Sequence, residues 1–502
     1  MQKTEPHGRP PLRPEPPPAR GSAEPPATSG GADTRPGQTL CRSRRRVAWI
    51  KRPQNEAELH ALLAEAACAR QPLHVISTGR NWGYGSALPP RDDTAIVDLG
   101  HWRTIGPLDR ATLSVRIQPG VTQGDLHRWL GQHAPDLTFN TTGAGTRTSI
   151  LGCALERGIG YTGGVDASVF GLEAMLADGT VVQPDPEWFH PARDHACGPA
   201  LDRLFFQSNY GIVTAARVRL RVRQQLEQAV VITGSLADLL TGLRTGYAQG
   251  LLTLPTHIGE PGRTGRLSAS RLAAVRGRAV TAEEIAAVFP DTQDHVALSA
   301  MHGRRRVVHA AWRELKALLP SGCVARRFDA ASAARLEKFA RLVGLRNQAD
   351  RLASYLPLFG LTWGVPSDTG LEALALPPGG ERDPDRAEEG AIYGNGIGAL
   401  DPVHAERMAR IIRAAWSEAA CTYIVVNAWC LIAVYTLHIA PGQEAAAKRA
   451  EQTIATQLRA AGYPPYRLGI ELPGPAAGPL HQRVKAALDP AGLLAPGRYE
   501  SR

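Results

Sequence analysis

Two glycine-rich segments, about sixty residues apart, constrain this chain more than any other feature. The first, "ISTGRNWGYGSA" (76–87), follows the strand-like "LHVIS" and places Gly79, Gly83 and Gly85 within seven residues. The second, "GAGTRTSILGCALERGIGYTGG" (143–164), holds seven glycines. Glycine lets consecutive N–H groups converge on an anion without a Cβ in the way. Thr142, Thr146, Thr148 and Ser149 add hydroxyls to the second segment, and Arg80 adds charge to the first. Either segment alone reads equally well as a tight turn. Together they predict one long ligand lying between two loops. No GxxxxGK[ST] is present, which excludes a P-loop. No GxGxxG opens a helix, which argues against an ordinary dinucleotide fold.

The rest of the chain organises around these segments. Residues 1–40 carry ten of the 39 prolines and no aromatic residue. Such a stretch buries too little apolar surface to offset its ordering entropy, so a disordered tail is expected. "CRSRRRVAWIKR" (41–52) has six positive charges and reads as a solvated edge of the domain that follows. Leu59, Leu62 and Leu63 predict a helix over 55–70. Strands are expected at 73–77, 94–99 and 112–120. A helix over 122–133 is expected with Thr122 as its cap. "GLEAMLADGTVVQP" (171–184) reads as a hairpin turning at Asp178-Gly179. One α+β unit therefore spans 41–222, and the texture changes over 223–440. There, helices at 309–319 and 402–420 alternate with strand candidates around a loop-rich stretch, 365–392. Residues 441–502 begin with a helix over 442–462 and end in a helix, a turn and an extended tail.

Composition excludes more than it selects. Lys+Arg exceeds Asp+Glu by 57 to 47, a net +10 that suits an anionic ligand without calling for nucleic acid. The seven cysteines are irregularly spaced and form no CxxC, so neither a metal site nor a disulfide framework is expected. Reduced thiols point to the cytoplasm. The most apolar run, "YIVVNAWCLIAVYTL" (423–437), is broken by Asn427 and is too short for a bilayer. It reads as two buried strands.

"ISTGRNWGYGSA", "SILGCALERGIGYT", "FFQSNYGIVT" and "LDPAGLLAPGRY" occur in this order. Together they resemble the flavoprotein family of vanillyl-alcohol oxidase and p-cresol methylhydroxylase, from about Val47 onward. The resemblance implies an α+β, two-domain fold. An FAD-binding domain (41–222) is completed by the C-terminal segment (441–502), and a cap (223–440) lies over the flavin. "LTWGVPSDTGLEAL" (361–374) looks like a family segment of the cap. The resemblance assigns Ser77, Thr78, Gly79, Arg80, Asn81, Trp82 and Gly83 to the pyrophosphate. It assigns Thr142, Gly143, Ser149, Gly152, Cys153 and Gly160 to the cofactor, together with Gly211, Ile212, Val213 and Arg498. Cys153 is read as a small packed residue rather than a redox thiol.

In the phenol-oxidising members two tyrosines and an arginine hold a phenolate oxygen. Tyr84, Tyr466 and Arg467 stand at those positions, and arginine suits permanent anion binding because it keeps its proton. The expected reaction is oxidation of a para-substituted phenol or aromatic alcohol, with hydride passing from the benzylic carbon to flavin N5. Two departures qualify it. Ala144 stands where some members carry an aspartate, and Asp166 nearby reads as a turn residue. Ala391 stands at the flavin-linking position of the cap, and Asn81 where other relatives link through histidine. FAD is therefore expected to be noncovalent, with a Tyr393 linkage as the minor alternative. His195 and His438 read as ordinary histidines rather than bases. A non-phenolic alcohol or biosynthetic intermediate as substrate, or a degenerate flavin-fold interaction protein, are the alternatives. A homodimer and a cytochrome electron acceptor are the partners the resemblance brings; no nucleic acid and no membrane are expected.

Overall fold

The computed structural model describes residues 39–183, 198–290, 294–372, 374, 383–474 and 478–500. The expected disordered tail falls almost wholly outside these, as do His195 and much of the loop-rich stretch before Asp383.

Two sheets carry the N-terminal part. Strand Thr94–Asp98 runs parallel between Val47–Lys51 and Leu73–Ile76. An antiparallel sheet follows in the order Val181–Val182, Val169–Met175, Ile212–Arg219, Ser114–Ile117, Ile105–Asp109. Local chemistry explains why the helices begin where they do. Asn55 caps helix Glu56–Ala69 by accepting from the Glu58 N–H, and Leu59, Leu62 and Leu63 pack against Val97 and Leu99. Thr122 and Asp125 form a reciprocal capping box on helix Gln123–His133. The hairpin turns at Asp178-Gly179 as expected, with the Thr180 N–H donating to the Asp178 carboxylate.

A seven-stranded antiparallel sheet dominates residues 226–439. Its order is Val324–Phe328, Leu226–Gly234, His295–Gly303, Thr256–Gly259, Ala420–Val425, Cys430–Ile439, Gly390–Ala399. Side chains alternate across it. Val230 and Ile232 join the core formed with helices Leu236–Ala248, Pro402–Ala415 and Glu444–Ala460. Ala229 and Val231 face the other way, toward Phe359 and Leu361 of helix Arg346–Thr362. The sheet's second face looks onto the glycine-rich segments.

Two readings need correction. The helix expected over 402–420 stops at Ala415, because Trp416 turns the chain into extended backbone and Ala420 opens a strand. Its periodicity ran on through residues that the sheet claims. The basic stretch 41–52 is also less solvated than expected. Arg45 pairs with Glu471, both largely buried, and Val47–Lys51 is a paired strand, while Arg46, paired with Asp93, stays exposed as expected. Strand Ile105–Asp109 was not anticipated. By contrast, the apolar run does form two strands, with the Asn427 side chain accepting from Trp429 and Cys430 N–H in the turn. No described helix is long and apolar enough to cross a membrane.

The C-terminal segment returns to the N-terminal sheet. The Leu73 N–H donates to Leu493 O at 2.8 Å, and the Ala495 N–H donates back to Leu73 O at 2.6 Å. In the same C-terminal segment, Glu451 lies only 2% exposed on helix Glu444–Ala460. Burial, and then the neighbouring Glu471 charge, push its pKa up to about 8. A folded-state pKa raised above the unfolded value near ~4.3 contributes stability below that value and loses it as pH climbs through the folded pKa. The thermal midpoint should therefore fall between about pH 5 and pH 8 and level off above that, and Glu451→Gln should flatten that fall. An equally steep fall in the variant would remove Glu451 as its cause.

Candidate active site

The two glycine-rich segments touch. The Ser149 N–H donates to the Thr78 hydroxyl at 3.2 Å, and Ser149 Oγ in turn caps the short helix Ile150–Leu155. A Cβ on Gly152 would collide with Ser77 Oγ, so glycine there is what permits the approach. Between the segments lies a cavity of about 520 Å³. Ligand and cofactor sites usually occupy roughly 300–1,000 Å³.

Most of the expected residues border this cavity. From the first loop these are Ser77, Thr78, Gly79, Arg80, Asn81, Trp82 and Tyr84; from the second segment, Thr142, Gly143, Ser149, Gly152 and Cys153. Gly211, Ile212, Val213, Tyr393, Tyr466, Arg467 and Arg498 border it too, as does Ala144. Gly83 and Gly160 do not. Gly83 has φ +74° and a Cβ there would strike the Tyr393 ring, while a Cβ on Gly160 would strike Asn140. Both serve close packing behind the lining. Asp166 pairs with Arg203 at 3.2 Å, away from the cavity, and His438 is not in the lining.

Tyr84, Tyr466 and Arg467 converge at one end. The Arg467 guanidinium lies over the Tyr84 ring, 4.8 Å from its centroid, and Nη2 donates to Asn81 Oδ1 at 2.6 Å across 386 residues of sequence. Asn395, on strand Gly390–Ala399, ties the group together. Its Oδ1 accepts from the Tyr466 and Arg467 N–H groups at 2.8 and 3.2 Å. Its Nδ2 donates to Arg467 O at 3.0 Å and to the Tyr84 hydroxyl at 3.4 Å. Burial raises the pKa of both tyrosines, against the Arg467 charge that lowers them, so each stays a protonated donor at neutral pH.

Behind this group sits a carboxylate that sequence reasoning did not single out. Glu156 accepts from Arg498 Nη2 at 3.0 and 3.1 Å and from the Tyr499 hydroxyl at 2.5 Å, and Arg467 Nε lies 3.7 Å away. Burial opposes its ionisation, but Arg498 and Arg467 outweigh that and hold its pKa below the usual value. His257 and Arg263 were also missed. His257 stacks on Tyr161 with centroids 4.3 Å apart, and burial lowers its pKa to about 4, so it is neutral. Arg263, in the first turn of helix Pro261–Arg276, brings a positive charge to the cap side of the cavity. Neither His257 nor Arg263 belongs to a local motif; Glu156 could have been suspected only from its place inside "SILGCALERGIGYT".

Among the described residues, six buried polar atoms around the cavity make no hydrogen bond: His74 Nδ1, Ser208 Oγ, Asn209 Oδ1, Ser268 Oγ, Thr422 Oγ1 and Arg467 Nε. Buried polar atoms are ordinarily satisfied, so these mark where a ligand with polar groups along its length would bind. The size of the cavity, its glycine-lined approach and these atoms fit FAD.

Comparison with known proteins agrees. Residues 47–184 match the FAD binding domain family. A 1'-carboxy-chondrochloren decarboxylase from Chondromyces crocatus is 29% identical, over 91% of this chain and 91% of that protein. The flavoprotein subunit of a hydroxylating 4-cresol dehydrogenase from Pseudomonas putida is 32% identical, over 28% of this chain and 29% of its own length. Among solved structures, a 4-ethylphenol oxidase from Gulosibacter chungangensis, in complex with isoeugenol, superposes with a TM-score of 0.75 at 17% identity, covering 92% of each chain. A substrate-bound p-cresol methylhydroxylase superposes with 0.72 at 19% identity, covering 90% of this chain and 88% of the other. The chain is an FAD-dependent oxidoreductase: it carries the FAD binding domain over residues 47–184, and its fold is that of 4-ethylphenol oxidase and p-cresol methylhydroxylase.

Proposed function

We propose that the chain oxidises a para-substituted phenol or an aromatic alcohol of that shape. The observation that carries this reading is the meeting of Tyr84, Tyr466 and Arg467 at one end of a single cavity, locked by Asn395. Segments 41–222 and 441–502 hold the cofactor, and 223–440 cover the substrate. FAD, when bound, supplies a two-electron acceptor for the hydride of the benzylic carbon. Ser77 to Trp82, with Thr142, Gly143, Ser149 and Gly152, would hold it. We read it as noncovalent: Ala391 is buried against Leu40 and Trp82, and burial keeps the Tyr393 hydroxyl protonated and a poor nucleophile.

Arg467 keeps its proton and pairs with the substrate oxygen as phenolate, while the Tyr84 and Tyr466 hydroxyls donate to it. The stabilised anion enriches the para carbon in electrons and eases hydride departure. Ala144 offers no carboxylate, so neutral His257 is the proton acceptor that the cap contributes to the cavity. A cytochrome or oxygen then takes the electrons; the Pseudomonas relative is itself named as one subunit of an assembly.

A second reading rests on Arg263 and on the decarboxylase named among the relatives. Here the substrate also bears a carboxylate, which Arg263 holds. Hydride loss leaves a quinone methide, the carboxylate leaves as CO₂, and its bonding pair restores the aromatic ring. Anaerobic mixing of FAD-loaded protein with 4-ethylphenol and with its methyl ether tests the first reading. The phenol should bleach the flavin's visible band and the ether should not. Equal bleaching by both, or by neither, would sink it, and CO₂ released from a carboxylated 4-alkylphenol in the same experiment would favour the second.

A further inference from the structure

A second cavity, about 380 Å³, lies in the cap against the first. Thr264, Val296, Leu298, Tyr355 and Leu358 border both, so the two chambers share one wall. All five belong to the cap. The far chamber is almost wholly apolar. Phe328 and Phe359 stack at 5.4 Å on one side of it, with Tyr355 against Phe359 at 5.9 Å. It opens to the surface between Leu336, Phe339 and Leu345, which are 46%, 58% and 48% exposed. Helix Ala330–Leu342 thus turns leucine and phenylalanine toward solvent at a cavity mouth instead of closing it.

Protein interiors are packed to the density of organic crystals, and the cost of an apolar void grows with its volume. A chain that keeps this much apolar room beside its active site, and leaves the rim greasy, has kept it for a ligand. We propose that the far chamber is the subsite for an extended apolar arm on the para side of the substrate. The arm passes the shared wall at Leu298 and Tyr355 and emerges at Leu336, Phe339 and Leu345, where Arg326 also borders the chamber. This rests on the phenol reading for the head group and adds the substrate class: an amphiphile with a long aliphatic or arylalkyl tail, rather than a small phenol.

Equilibrium binding to FAD-loaded protein tests it independently of turnover. The probes are 4-ethyl-, 4-butyl-, 4-hexyl- and 4-octylphenol and the four corresponding methyl ethers, titrated by calorimetry. Affinity should rise roughly fourfold per added methylene, the value of burying that group, and along both series alike. The slope reports the arm; the offset between phenol and ether reports the head group. If the phenol reading fails, the offset vanishes while the slope stays. Leu345→Trp at the mouth and Ala340→Phe inside the chamber should each flatten the slope beyond the butyl compound. The first replaces a half-exposed side chain, so it keeps the test open should the buried Ala340 variant not fold. Three results would overturn the proposal: affinity level or falling beyond ethyl in both series, a slope that neither variant changes, or a flat slope with a dimer that Leu345→Trp dissociates, which would give the mouth to a second copy of the chain.

Discussion

Arg467→Ala should lower kcat/KM for a 4-alkylphenol by about 10²- to 10³-fold, the usual loss when one preorganised charge stabiliser is removed from an oxyanion site. The loss should fall mainly on the phenolate. Arg467 is the only one of the three converging groups with a fixed charge, since burial holds both tyrosines protonated. Without it the bound phenol ionises at higher pH, so the remaining activity should climb further with pH than in the native enzyme. Arg467→Lys should restore only part, because a lysine cannot both lie flat on the Tyr84 ring and reach Asn81 Oδ1. Steady-state rates across pH 6 to 10 check all three statements. Unchanged kcat/KM in Arg467→Ala would end the anion-site reading.

Glu156→Ala should damage stability and activity together. Removing one partner of a buried ion pair costs about 3–5 kcal/mol, because the opposite charge stays behind unpaired. Here two charges stay behind, Arg498 and Arg467. The side chain keeps 22% of its exposure, so the lower end, about 3 kcal/mol, is the better expectation. Glu156→Gln should cost less, since the amide oxygen still accepts from the Tyr499 hydroxyl. The pH dependence has a definite sign. A depressed folded pKa gives stability above the unfolded value and loses it as pH falls through the folded one. Native protein should therefore lose more stability below pH 4 than the glutamine variant does. Urea unfolding at pH 7 and at pH 3 measures both effects.

What could be read from the sequence was whatever local chemistry fixes. Thr122 at its helix start and Asp178-Gly179 each settle a cap or a turn within four residues, and both stand as expected; Asn55 with Glu58 does the same for the helix read from Leu59, Leu62 and Leu63. The tyrosine and arginine positions were legible for a similar reason, since each lies in a short patterned stretch. Asn395 was not. It sits in a strand whose glycines and isoleucine look like core, and its importance depends on Tyr466 and Arg467 some seventy residues later. Glu156 escaped for the same cause: its arginine is 342 residues away. The order of the seven-stranded sheet could not be read either. Its strand Leu226–Gly234 pairs with His295–Gly303 and Val324–Phe328, both distant in sequence. Helix 402–420 was overextended because helical spacing cannot reveal where a sheet edge takes over the chain.

The return of Leu493–Ala495 to Leu73 also sets an order in time. A ribosome adds about 5–20 residues each second, so the glycine loop at 76–87 is finished long before the strand edge that it leans on. Arg467 and Arg498, which neutralise Glu156, arrive only after the whole cap has been made. Until then the cavity has one open side and an unpaired carboxylate facing it. The cofactor cavity is therefore completed late in synthesis, when the C-terminal segment folds back onto the first glycine loop and its strand.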